Sequence, residues 1–275
     1  MIGVTGSTGQ LGSRVARRLA AGGVPQRLIV RDPARAPELP GAEVAQAAYG
    51  EHAALLDALD GVDTLLLLSA TESADRVDLH KATVDAAVAA GVRRIVYTSF
   101  VAASPSATFT FARDHWHTEE HVRETGADFT FLRDNLYVDA VAAFVGEDDV
   151  IRGPAGDGRV AAVARDDVAE VAAAVLMSGD HSGMTYDLTG PSAFTLTEAA
   201  ALMSETWGRP VRYEPETLDE AYRSRECFGA PPWEVAGWVT SYAAIASGEL
   251  SEVSSAVEDL TGHPAIGLTE YLAKT

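Results

Sequence analysis

The feature that most constrains this chain is its start, where a four-residue apolar stretch, Ile2 to Thr5, runs into glycines at 6, 9 and 12 and then into a helical pattern carrying Val15 and Leu19 on one face. A glycine at position 6 allows a tight turn. One at position 9 lets backbone approach a pyrophosphate without a Cβ in the way, and one at position 12 lets the new helix pack close on the strand it left. The helix N-terminus then presents unpaired N–H groups and a partial positive charge to phosphate oxygens. Strand, glycine loop and helix in that order predict a dinucleotide site built from Gly6, Ser7, Thr8, Gly9, Gln10, Leu11 and Gly12.

The same alternation continues. Apolar runs at residues 27–31, 44–47, 64–69, 94–99 and 129–132 are separated by helical patterns at 10–21, 52–59, 76–90, 109–125 and 166–177. Alternating strands and helices give a parallel, doubly wound α/β sheet of Rossmann type, and Leu65-Leu66-Leu67-Leu68 reads as a strand covered on both faces. After about residue 136 the alternation loosens. The expected organisation is a nucleotide-binding domain over 1–135, a substrate-lobe segment over 136–159, a return to the first domain over 160–185, and a smaller C-terminal substrate lobe over 186–275. Thr195-Leu-Thr-Glu198 predicts a capped helix to Trp207.

Composition excludes several function classes. The formal charge is −19, and only two lysines, Lys81 and Lys274, are present. Such a surface repels nucleic acid and anionic membranes, so neither is an expected partner. No apolar run reaches the ~20 residues that span a bilayer, and Met1 leads directly into a strand; a cytoplasmic protein is expected. The single cysteine, Cys227, cannot form an internal disulfide and reads as a small apolar filler on a helix. Oligomeric state is open, a homodimer included.

Several residues could carry chemistry. The second strand ends Arg31-Asp32-Pro33, where the adenine ribose of a dinucleotide should lie; a guanidinium there can pair with a 2′-phosphate and an acid with a 2′-hydroxyl, and Arg31 favours NADP. Ser69 and Thr71 leave the fourth strand, and Tyr97, Thr98 and Ser99 close the fifth. Their hydroxyls are candidates for the nicotinamide ribose or carboxamide. Asn135 and Tyr137 follow the sixth strand at its carboxyl end and, with Phe100, Phe111, Trp116 and Trp233, are candidates to receive a planar substrate. Arg133 is expected to tie its turn to an acid. His117 and His121 share a helix face, but Thr118 stands where a zinc-protease pattern needs Glu, and no metal is expected.

The interval Thr5-Gly6-x-x-Gly9-x-x-Gly12 resembles the short-chain dehydrogenase/reductase superfamily. Tyr49-Gly50-Glu51, Tyr97-Thr98-Ser99, Leu132-Arg133-Asp134-Asn135-Leu136-Tyr137, Ala155-Gly156-Asp157-Gly158-Arg159 and Gly262-His263-Pro264 narrow the resemblance to its NmrA-like atypical branch, and within it to the type 2 NAD(P)H:quinone oxidoreductases. The likeness implies an NADPH-dependent enzyme. No tyrosine here has lysine four positions later, so the Tyr-x-x-x-Lys acid of typical superfamily members is missing. In the related isoflavone-reductase-like proteins a catalytic lysine lies eleven residues before the equivalent of Gly126, which puts His115 in its place. Without a strong acid, a quinone-like conjugated acceptor suits the chain better than a ketone, because its reduced anion can take a proton from water. The rival readings are a non-catalytic dinucleotide sensor that binds a protein partner and a biosynthetic ketone or enone reductase.

Overall fold

The computed structural model describes residues 1–274. Two compact units emerge, one of residues 1–99, 114–133 and 165–186, the other of residues 100–113, 134–164 and 187–275.

The first unit is built from β1 (Ile2–Thr5), α1 (Gln10–Ala21), β2 (Gln26–Val30), β3 (Ala42–Gln46), α2 (His52–Leu59), β4 (Thr64–Leu67), α3 (Arg76–Ala89), β5 (Arg94–Phe100), the part of α4 (Thr110–Glu124) from Asp114 on, and β6 (Asp128–Asp134). After α5 (Val138–Ala142), β7 (Val150–Gly153) and β8 (Arg159–Val160), α6 (Arg165–Met177) and β9 (Met184–Leu188) complete it. The sheet order is β3-β2-β1-β4-β5-β6-β9. β1 pairs in parallel with β2 on one side (Ile2 opposite Gln26) and with β4 on the other (Ile2 opposite Thr64). The strand order therefore reverses between β1 and β4, and the carboxyl ends of these two strands flank the switch point where open α/β sheets bind ligands.

Leu65, Leu66 and Leu67 are fully buried, as a strand covered by helices requires. The strand stops at Leu67 rather than Ser69 because the next three N–H groups bond to side chains instead of a neighbouring strand, as described below. β9 carries no apolar run: Met184 is 44% exposed and only Leu188 is buried. That pattern is why it is not legible as a strand in the sequence.

The second unit contains β10 (Phe194–Thr195), α7 (Leu196–Trp207), β11 (Arg212–Pro215), α8 (Leu218–Arg225), α9 (Pro232–Ala246), α10 (Ala256–Thr261) and α11 (Leu268–Ala273). The expected capping box is present: Thr195 Oγ1 accepts from Glu198 N, and Glu198 Oε2 accepts from Thr195 N. Residues 100–113, which the sequence places with the nucleotide-binding part, pack in this unit instead. Phe111 lies where a Cβ on Gly237 of α9 would come within 2.3 Å of its Cζ, and Thr110 N donates to Thr240 Oγ1 at 3.1 Å. Cys227 is not a buried filler; it is exposed on a 3₁₀ turn, Glu226–Phe228, with Sγ 3.3 Å from Ser224 O. No helix of the described residues is long and apolar enough to cross a membrane.

Candidate functional site: a glycine loop and a stapled strand exit

Gly6 adopts φ +61°, a left-handed conformation that favours glycine. At Gly12 a Cβ would sit 2.3 Å from Gly6 O and 2.8 Å from Leu68 Cδ1, so the start of α1 is pressed against the turn it leaves. Gly9 is less crowded, with Gly6 O 3.3 Å from the position of a Cβ. Gly9 is also the N-cap of α1 and supplies no side-chain acceptor, unlike Thr195 on α7 and Thr217 on α8. The first-turn N–H groups of α1 therefore have no side-chain cap among the described residues and can serve an anion. Ser7 Oγ is buried in this loop with no hydrogen-bond partner, an arrangement that costs free energy unless an acceptor arrives.

At the end of β2 the two candidates for the ribose separate. Asp32 accepts from Ala34 N at 3.1 Å and so caps the 3₁₀ turn Pro33–Arg35. Arg31 and Arg35 are exposed and make no ion pair among the described residues. A 2′-phosphate would meet two guanidinium groups there and one carboxylate already engaged with backbone.

The chain leaving β4 is held by side chains from three elements. Leu68 N donates to Thr5 Oγ1 at 3.0 Å, Ser69 N to Thr98 Oγ1 at 2.9 Å, and Ala70 N to His80 Nε2 at 2.8 Å. Tyr49 Oη, 2.5 Å from both Leu68 O and Thr5 Oγ1, closes the cluster, and burial raises its pKa. Ser69 is half-buried and Thr71 exposed, so both have side chains free to turn outward from a fixed backbone.

The hydroxyls at the end of β5 face inward. Thr98 serves Ser69 N, and Ser99 Oγ donates to Glu119 Oε1 at 2.6 Å. Glu119 is fully buried and also receives Arg133 Nε and Nη2 at 2.8 and 2.7 Å, which is the acid expected for Arg133. Tyr97 Oη lies 2.9 Å from His115 Nδ1, fully buried.

His115 itself is 5% exposed. Arg76 Nη2 lies 3.3 Å from its Nε2, and since a guanidinium only donates, Nε2 must be the acceptor. The neutral ring then carries its proton on Nδ1 and points it at Tyr97 Oη. Burial first, and then the charge of Arg76, hold the His115 pKa well below its ordinary value.

Sequence reasoning missed the residues that organise this network. Arg76, His80 and Thr83 stand at i, i+4 and i+7 on α3 and are 3%, 0% and 0% exposed, a polar stripe where a core helix should bury apolar groups. Arg76 meets His115, His80 meets Ala70, and Thr83 Oγ1 accepts from Gly50 N at 3.3 Å. The helical spacing of three polar residues was the available signal.

In the second unit, Asn135 is 2% exposed with its amide occupied: Nδ2 donates to Leu250 O at 3.0 Å and Oδ1 accepts from Leu136 N at 2.8 Å. Tyr137 Oη donates to Asp134 Oδ2 at 2.6 Å. Phe100, Phe111 and Trp233 do come together, joined through Phe109 into a row with ring centroids 5.0, 5.5 and 6.1 Å apart. Trp116 is elsewhere, edge-on to His117, and His121 Nε2 is 2.7 Å from Asp85 Oδ1.

The family model that matches residues 1–225 is the NmrA-like family. This chain belongs to the NmrA-like family. Quinone oxidoreductase 2 of Escherichia coli is 37% identical over 280 residues, covering 99% of this chain and 98% of the relative. A (4-alkanoyl-5-oxo-2,5-dihydrofuran-3-yl)methyl phosphate reductase of Streptomyces griseus is 36% identical, covering 100% and 97%. Among solved structures, the NADPH-dependent quinone oxidoreductase QOR2 of Escherichia coli complexed with NADPH superposes with a TM-score of 0.93 at 36% identity, covering 100% of this chain and 99% of that one. The NmrA-like assignment thus extends to chain length as well as to motif.

Proposed function

We propose that this NmrA-like protein is an NADPH-dependent oxidoreductase that passes hydride directly to a quinone-like conjugated acceptor. Dinucleotide binding is supported by the Gly6–Gly12 loop, whose partnerless Ser7 Oγ and uncapped α1 suit a diphosphate. Ser7 to Gly12 would hold the diphosphate, Arg31 the 2′-phosphate, and Ser69 and Thr71 the nicotinamide ribose. NADPH bound there supplies the hydride. This chain's own residues fix the strand ends against which the cofactor lies.

The observation that carries the acceptor class is the state of His115. A ketone needs a proton delivered to a developing alkoxide, but the imidazole in the lysine-equivalent place is buried, neutral and bonded at both ring nitrogens. A quinone that takes hydride yields a phenolate-like anion, which can be protonated by water. In this reading His115 is a positioning residue. Asn135 and Tyr137, with their polar atoms engaged, would help to shape acceptor binding rather than transfer protons.

A second reading, reduction of a conjugated enone in biosynthesis, is favoured by the Streptomyces relative's activity on a 5-oxo-2,5-dihydrofuran. Steady-state NADPH oxidation against matched quinones, azo dyes, enones and simple ketones tests both. Turnover fastest with quinones supports the main reading, fastest with enones the second. No turnover with any acceptor despite tight NADPH binding would instead favour a sensor.

A further inference from the structure

The three consecutive N–H groups after β4 are each received by a side chain of a different element: Thr5 from β1, Thr98 from β5 and His80 from α3. Strand exits usually leave such groups to water or ligand; here they are spent before any ligand arrives, which makes the segment rigid from within. His80 is the member without an obvious structural reason to be histidine. It is fully buried on α3, where an apolar residue would pack without desolvation cost.

Its partners fix its tautomer. Ala70 N–H donates to Nε2, so the ring proton is on Nδ1, which points to Thr118 Oγ1 at 2.9 Å; the Thr118 hydroxyl in turn donates to Asp114 O at 2.9 Å. Every bond runs in one direction, from Nδ1 to the α4 backbone, leaving the Nε2 lone pair for Ala70. Burial, reinforced by Arg76, lowers the pKa of the ring to about 3, so that lone pair is present throughout the neutral range.

We propose that His80 is a positioning residue for the cofactor: through Nε2 it sets the backbone at Ala70, and thereby the side chains of Ser69 and Thr71 that receive the nicotinamide ribose. This rests on the cofactor placement proposed above. A loss of the Nε2 acceptor should misplace that ribose and weaken NADPH binding while leaving the glycine loop intact.

Two isosteric variants separate this role from plain packing. The side-chain amide of glutamine reaches the place of Nε2, whereas that of asparagine reaches only the place of Nδ1. NADPH affinity, kcat and KM are measured for the full-length protein, H80Q and H80N, with thermal melting of each. H80Q is expected within about threefold of the parent in NADPH Kd and KM, and H80N weaker by about tenfold or more, a ratio that one lost hydrogen bond accounts for. Equal losses in both variants, or losses in neither, would overturn the proposal. Should both variants fail to fold, long-range 15N spectra of the parent protein decide: an unprotonated Nε2 with a slowly exchanging Ala70 amide supports the clamp, and a protonated Nε2 or fast exchange refutes it. Failure of the parent to bind NADPH at all would defeat the cofactor placement, and this is seen separately in the first titration.

Discussion

Arg76 Nη2 stands 3.3 Å from His115 Nε2, so a permanently charged donor occupies the nitrogen that a general acid at this position would need to protonate. A second proton on that ring would face the guanidinium across a hydrogen-bond distance inside a buried site, where charge repulsion is poorly screened. His115, expected from the resemblance to stand where related isoflavone-reductase-like proteins carry a lysine, is thereby kept from taking up a lysine's charge.

His115→Ala should accordingly lower quinone turnover by about tenfold or less, below the 10²–10⁴ that a required general acid contributes. Simple ketones should be reduced more slowly than quinones by both proteins. Steady-state rates on matched acceptors check this, and a ketone reductase activity that collapses by two orders of magnitude in the variant would refute it.

The glycines of the loop should separate by experiment. Gly9→Val should abolish NADPH binding while the circular dichroism spectrum is retained, because Gly6 O is 3.3 Å from the Cβ position and only the ligand side is obstructed further. Gly12→Ala puts a Cβ 2.3 Å from Gly6 O, so it should destabilise the fold itself by about 1–3 kcal/mol or more. Melting curves and NADPH titrations of the two variants make the comparison.

Arg31→Ala should weaken NADPH by roughly 10- to 150-fold, the equivalent of about 1.5–3 kcal/mol for a charge-assisted pair, and leave NADH little changed. Asp32 accepts from Ala34 N, which holds its carboxylate on the 3₁₀ turn. Titration with both dinucleotides reads the difference; equal losses would make the arginine structural.

The pH dependence of stability follows from His80. Its folded pKa is about 3, whereas the unfolded chain takes up a proton near 6.5, so as pH falls through that window the unfolded state binds the extra proton and stability declines. The decline from this residue is about 5 kcal/mol when fully developed at the acid end. His115, shifted in the same direction, adds to it. Urea unfolding at pH 7 and pH 5 should therefore show a shallower loss in H80Q than in the parent protein.

The sequence by itself determined the parallel α/β architecture, the glycine loop and the capped start of α7, because these follow from local rules: covered strands read as apolar runs, α1 begins where glycine allows a close approach, and Thr195 with Glu198 marks a helix start four residues long. Arg133 also found its acid, Glu119. Only the tertiary structure decided which way the hydroxyls of Thr98 and Ser99 face, since a strand end exposes a side chain to either side and their partners, Ser69 N and Glu119, lie 29 and 20 residues away in the chain. It also assigned residues 100–113 to the second unit, where Gly237 leaves room for the Phe111 ring. The proton on His115 was the least legible of all. Its place depends on Arg76, 39 residues earlier in the chain, and no local pattern reports a hydrogen bond made between two helices across the end of a sheet.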